Sequence, residues 1–319
     1  FSHNTELVSN YGIAPTGDVF HNLSVRELYE ASVKRAQAKI LANGTLFQST
    51  APYFGRAAKS SFYVRDPEWL YKGHSMDELI AWGDPSKGEY DNLPIGRDVF
   101  ERLHHRVLGA LSDGGDIYVT DAFSGRTQRS RLNVRVLTNW AQSALFARNI
   151  FLRPTGDELE GFSPDWTILH APQVKAEPTD GTNGVAFIIT DLASRTTIIG
   201  GTHYHGQIKK SIFSVQNFRL PLEGILTMHA GASEGRNGHA AIHAGLSGTG
   251  KTTLSNTGAP VADDQIVVDI HAMEADAVIS NMEGGQYAKT ENLRRDKEPE
   301  TYDAIKFGTT AENIAHNMD

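Results

Sequence analysis

Gly245-Leu246-Ser247-Gly248-Thr249-Gly250-Lys251-Thr252 is the stretch whose reading decides the fold. It fills every fixed position of the phosphate-loop pattern G-x-x-x-x-G-K-[ST]. Glycines let such a backbone turn tightly and aim successive N–H groups at phosphate oxygens. The N-terminus of a following helix would add its partial positive charge. Lys251 can reach β and γ phosphates, the Thr252 hydroxyl can hold Mg²⁺, and Thr253 belongs with the nucleotide-binding residues of the loop. His239 to His243 (HAAIH) reads as a strand of small apolar residues running into the loop, and a helix is expected from Lys251. Strand, glycine loop and helix are the context this motif requires, so binding of ATP or GTP is the expectation. The reaction stays open, because many chemistries use this loop.

Working outward, an acidic partner for the loop's metal should follow. Asp263-Asp264 come first, after Pro260-Val261-Ala262; Asp269 ends Ile266-Val267-Val268, a run that looks like a buried strand leading to an acid. Periodicity alone slightly favours Asp269, and a strand-end turn residue is an equally good account of it.

Upstream, the 319 residues suffice for one large domain or two ordinary ones. A formal charge of −8 excludes a global field for nucleic acid or acidic membranes, so a phosphate site must be a local basic pocket. There is no cysteine, which excludes disulfides and thiolate metal sites. No apolar run is long enough to span a bilayer and no leader opens the chain, so a cytoplasmic location is expected. The first residue is Phe1, which suggests a fragment or a processed chain.

Leu23 to Ile40 leans helical, Thr45 to Asp66 is strand-like and turn-rich, and Asp98 to Leu111 predicts an amphipathic helix. Asp116–Ala122 predicts a strand, and Asn133 to Ile150 a strand that passes into a helix. Trp166–His170, Val185–Ile189 and Thr196–Ile199 are β-rich, whereas Gly156–Asp165 and Val174–Asn183 have loop composition. The expected fold class is α/β: a mixed α/β domain over residues 1–226, then a partial phosphate-loop mononucleotide-binding domain over 227–319.

The words around the loop are more specific than the loop. GLSGTGKTTLS, the run from Gly200 to Gly235 (GGTHYHGQIKKSIFSVQNFRLPLEGILTMHAGASEG) and MEGGQYAKT from Met282 resemble the ATP-dependent phosphoenolpyruvate carboxykinases. Phe54-Gly55-Arg56, Tyr63-Val64-Arg65-Asp66, Asp121-Ala122-Phe123 and Phe151-Leu152-Arg153-Pro154 follow that family's order. The resemblance runs from about residue 40 to the end. Family members continue past the position of Asp319, so it also implies an incomplete chain.

The family converts oxaloacetate and ATP into phosphoenolpyruvate, CO₂ and ADP, in gluconeogenesis. By resemblance, Arg56 grips a substrate carboxylate, for which a guanidinium offers two parallel donors. Tyr204 helps place oxaloacetate. Lys210, His229 and Asp264 bind Mn²⁺, which resolves the choice of acid towards Asp264. A lysine ligand must be neutral, and Lys209 beside it would help lower its pKa and also contact the γ-phosphoryl oxygens. Ser247 touches the transferred phosphoryl group, and Glu283 contributes to the nucleotide site. Taken singly, each of these has an ordinary reading: a surface arginine, a core tyrosine, a solvated lysine pair, a structural histidine, a turn acid. Two stretches depart from the family. Gly-Arg-Ala-Ala-Lys-Ser-Ser stands where Gly-Arg-Ser-Pro-x-Asp-Lys is usual, and Gln265-Ile266-Val267-Val268 replaces Glu-His-Gly-Trp.

The implied partners are small molecules, with no nucleic acid, no membrane, and a monomer expected. Two other readings compete: a phosphate-loop phosphotransferase of the serine-kinase regulatory type, and an inactive nucleotide-binding remnant. The Tyr204/Lys209/Lys210/His229 set argues against the kinase, which has no need of a lysine–histidine metal pair upstream of its loop.

Overall fold

The structure is a computed structural model that describes residues 4–75, 92–244, 254, 259–262, 266–269, 278–290 and 293–313. The phosphate loop, Gly245 to Thr253, and the pair Asp263-Asp264 lie outside the described residues.

An eight-stranded mixed sheet organises the N-terminal part. Its strands run in the order Val19–His21, Ile117–Ser124, Leu132–Thr138, Trp166–Ala171, Thr196–Gly200, Phe187–Asp191, Ser61–Val64 and Leu93–Ile95. The central strands are buried at nearly every position because both faces are covered. Leu137, Leu169, Ile189 and Ile198 face one layer, built around helix Arg97–Asp113 through Phe100, Leu103, Val107 and Leu111. Val136, Ile168, Ile188 and Ile199 face the other, covered by helices Ala141–Ile150 and Gly206–Arg219. Each side chain so buried contributes about 1.5–3 kcal/mol relative to exposure.

The predicted helix over 98–111 forms as Arg97–Asp113, and the strand over 116–122 as Ile117–Ser124. The helix-leaning opening holds as Val25–Lys34, started by a Ser24/Glu27 capping box. Two loop expectations need correction. Gly156–Leu159 is a one-turn helix under a second capping box, Thr155 with Glu158, and Pro178–Asp180 is a short 3₁₀ turn.

Helix Gly206–Arg219 follows no amphipathic period, because it is buried on several sides. After it, two small antiparallel sheets form. Ala230–Glu234 pairs with Ala240–Ala244 and with Ala259–Ala262; Ile266–Asp269 lies between Ile225–Met228 and Val278–Asn281. The strand expected before the phosphate loop is therefore present as Ala240–Ala244, and Leu254 beyond the loop is helical. Farther on, Thr310–Glu312 returns to the N-terminal part and pairs in parallel with Leu46–Gln48. Among the described residues no helix is long and apolar enough to cross a membrane.

Candidate active site

The site is built on the N-terminal end of helix Gly206–Arg219. The chain leaves strand Thr196–Gly200 through Gly201, whose φ of +68° and close approach to the Val185 carbonyl admit no side chain without strain. Tyr204 follows, its N–H donating to Thr202 Oγ1 at 3.1 Å. Lys209 and Lys210 then sit early in the helix and, as neighbours, leave it in different directions.

Lys209 turns inward. Its Nζ lies 3.0 Å from Glu283 Oε2, and the two side chains are 1% and 3% exposed. A buried charge needs an opposite charge at this range, since removing either partner strands the other. Glu283 is brought there by Gly284 and Gly285. The Gly284 N–H donates to the Ile150 carbonyl at 2.8 Å, and a Cβ at either glycine would collide with the backbone of Phe151 or Asn149. The Glu-Gly-Gly turn can thus lie flat against the end of helix Ala141–Ile150 and push its carboxylate under Lys209.

Lys210 turns toward the second part of the chain. Its Nζ stands 4.9 Å from the Phe213 ring centroid and 3.4 Å from His229 Nε2. His229 occupies the one-residue junction between strands Ile225–Met228 and Ala230–Glu234. Two nitrogens this far apart fit two donors of one first-row cation at about 2.0–2.1 Å each. The structure thus brings Lys210 and His229 together. Among the described residues no cluster of three His, Asp or Glu forms a metal site, and the third expected ligand, Asp264, lies outside them. Asp269 ends strand Ile266–Asp269.

Tyr204 is half-buried. Burial raises its phenol above the usual value; a hydrogen bond with Tyr287 opposes this, Glu312 adds to it, and the charges of Lys209 and Arg56 oppose it. It is therefore a neutral hydroxyl near neutral pH. Arg56 is exposed, and its Nη2 donates to Ser61 Oγ at 3.3 Å. Ser61 thus supplies a polar support in a stretch that departs from the family's usual wording. Lys209 and Arg56 are each close enough to act electrostatically on Tyr204.

Two residues not read from the sequence complete this side. Tyr287 packs edge-on against Phe146 with centroids 5.2 Å apart, and its hydroxyl donates to Glu312 Oε2 at 2.5 Å. Burial pushes the Glu312 carboxyl up to about 7, opposed by the hydrogen bonds from Tyr287 and from the His205 N–H. Tyr287 lies within MEGGQYAKT, so its neighbourhood was legible; Glu312 had no local signal.

A family model described as phosphoenolpyruvate carboxykinase matches residues 17–319. The chain is 39% identical over 309 residues to the phosphoenolpyruvate carboxykinase (ATP) of Caldanaerobacter subterraneus subsp. tengcongensis, covering 96% of this chain and 55% of that protein. It is 39% identical to that of Bacillus subtilis, over 95% of this chain and 54% of the relative. The similarity to phosphoenolpyruvate carboxykinase (ATP) 1 of Salinibacter ruber is 40%, over 100% of this chain and 56% of the relative. The chain spans about half the length of the curated relatives it matches.

Proposed function

The chain belongs to the phosphoenolpyruvate carboxykinase family, and from that premise we propose that it serves the ATP-dependent reaction, converting oxaloacetate and ATP into phosphoenolpyruvate, CO₂ and ADP. The observation that carries the proposal is the Lys210–His229 pair, 3.4 Å apart, next in the helix to the buried Lys209. A phosphate loop alone would not call for a lysine and a histidine to converge upstream of it.

The reaction cleaves a C–C bond of oxaloacetate, and the electron pair left behind forms an enolate. The enolate oxygen then attacks the γ-phosphorus, and the bond to the β–γ bridging oxygen breaks as ADP leaves. Both steps gather negative charge in one place, so fixed positive groups are the appropriate tools. Arg56 is proposed to bind a substrate carboxylate and Tyr204 to orient the substrate through its neutral hydroxyl. Lys209, fixed by Glu283, would direct its charge at the phosphoryl oxygens together with Lys251, while Ser247 and the loop N–H groups cradle the phosphates. On this reading Glu283 acts through Lys209. A divalent cation, Mn²⁺ or Mg²⁺, would be held by Lys210, His229 and Asp264, with Thr252 on the nucleotide side, and would supply positive charge shared by enolate and phosphoryl oxygens. Residues 1–226 would form the substrate side and 227–319 the beginning of the nucleotide side. The location remains proposed as cytoplasmic.

The test is turnover of the protein with Mn²⁺, ATP and oxaloacetate. Formation of phosphoenolpyruvate in step with ADP and CO₂ is expected. ATP consumption with phosphate transferred to a protein serine, or nucleotide binding with no product, would overturn the reading.

A further inference from the structure

Tyr287 and Glu312 lie against the same site, and neither has a part in the chemistry above. The Glu312 side chain is 6% exposed. One of its oxygens accepts the Tyr287 hydroxyl at 2.5 Å. The other accepts the His205 N–H at 2.7 Å and lies 3.2 Å from His205 Nδ1. A buried carboxyl is costly unless it is hydrogen-bonded, and here donors address both oxygens. Its backbone is equally fixed, because strand Thr310–Glu312 is paired with Leu46–Gln48.

The tethered ring touches the substrate side of the site. Tyr287 and Tyr204 have ring centroids 6.2 Å apart, and Lys209 Nζ stands 5.9 Å from the Tyr287 centroid. Phe146 blocks the ring edge-on at 5.2 Å. One aromatic ring thus backs both the tyrosine and the lysine assigned to substrate and phosphoryl group. A phenylalanine would fill the same space but lack the tether that sets its tilt.

We propose that Glu312 and Tyr287 are positioning residues: the carboxyl tethers the Tyr287 hydroxyl, and the tethered ring holds Tyr204 in the geometry oxaloacetate requires, while Lys209 stays fixed by Glu283. The proposal rests on the carboxykinase reading. It implies that a residue on a strand of the N-terminal sheet system, well beyond the phosphate loop in sequence, governs affinity for the organic acid and not for the nucleotide.

Steady-state kinetics of the whole protein with Mn²⁺ test this. Tyr287→Phe and Glu312→Ala are each expected to raise KM for oxaloacetate about tenfold while KM for ATP stays within about twofold. Glu312→Gln keeps hydrogen-bonding groups toward both partners and should remain within about threefold of the wild type. Tyr287→Phe preserves ring shape, so its circular dichroism should match the parent protein, while loss of the buried hydrogen bond to Glu312 lowers Tm by only a few degrees. An active wild type whose variants show no oxaloacetate-specific change, or lose both substrates equally with a lowered Tm, overturns the positioning role alone. A wild type that forms no phosphoenolpyruvate overturns the carboxykinase reading and this inference with it.

Discussion

Gly206 backs directly onto the ring of Tyr204: a Cβ at that position would fall 2.6 Å from Tyr204 Cε1 and 3.0 Å from its hydroxyl oxygen. The helix backbone accepts alanine here, so the substitution should cost little stability. The ring, however, must move. Gly206→Ala is expected to lower kcat/KM for oxaloacetate by about tenfold, since small displacements of a positioning group carry penalties of that size. Unchanged kinetics would show that Tyr204 has no fixed place in substrate binding.

Lys251→Ala should abolish phosphoryl transfer while leaving the fold intact. The reasoning comes from the motif: a loop lysine faces the phosphates at the surface of the site, and its loss removes charge stabilisation without removing core. Circular dichroism and turnover, measured on one preparation, check both halves. Near-native turnover would refute the phosphate-loop assignment.

The raised Glu312 carboxyl has a thermodynamic consequence. Its folded value of about 7 exceeds the ordinary 4.5, so between these pH values the unfolded chain releases a proton that the folded chain keeps. Stability from this group is therefore fully present below pH 4.5, falls as pH rises, and levels off above 7. Glu312→Gln lacks that slope. Its Tm relative to the wild type should rise steadily across the window, measured by thermal melts at several pH values. A pH-independent difference would contradict the raised carboxyl.

His170 works in the opposite sense. It is fully buried, with Nδ1 2.9 Å from Thr138 Oγ1. Burial and, secondarily, His203 hold it at about 3, against the ordinary 6.5. Its contribution is complete above pH 6.5 and is lost as pH falls toward 3. The imidazole signals of His170 should therefore not titrate between about pH 8 and 5 in an NMR titration of the folded protein. A midpoint near 6.5 would contradict its burial as a neutral ring.

The sequence made some of this legible and hid the rest for physical reasons. Phe100, Leu103, Val107 and Leu111 announce helix Arg97–Asp113 because it has one buried face and one wet one. Helix Gly206–Arg219 has no such stripe. Ile208, Lys209, Ile212, Val215 and Gln216 are all buried, so polar and apolar residues share its enclosed surface. Lys210 and His229 were legible as a pair only through their family setting; the structure supplies the contact. The partnership of Lys209 with Glu283 depends on how two glycines pack against the Phe151 and Asn149 backbone, which no local pattern encodes. Glu312 was least legible of all. Its role comes from a parallel strand pairing between distant segments, and an isolated glutamate usually reads as surface.

The central claim is that Lys210, His229 and Asp264 serve one cation beside the phosphate loop. Anomalous diffraction at the manganese edge, from crystals of the protein grown with Mn²⁺ and ATP, measures this directly. One ion is expected about 2.0–2.3 Å from Lys210 Nζ, His229 Nε2 and an Asp264 carboxylate oxygen, with Asp269 directed elsewhere. An ion held by Asp269 and the loop, with Lys210 and His229 standing apart from it, would contradict the carboxykinase account and leave only a generic phosphate-loop protein.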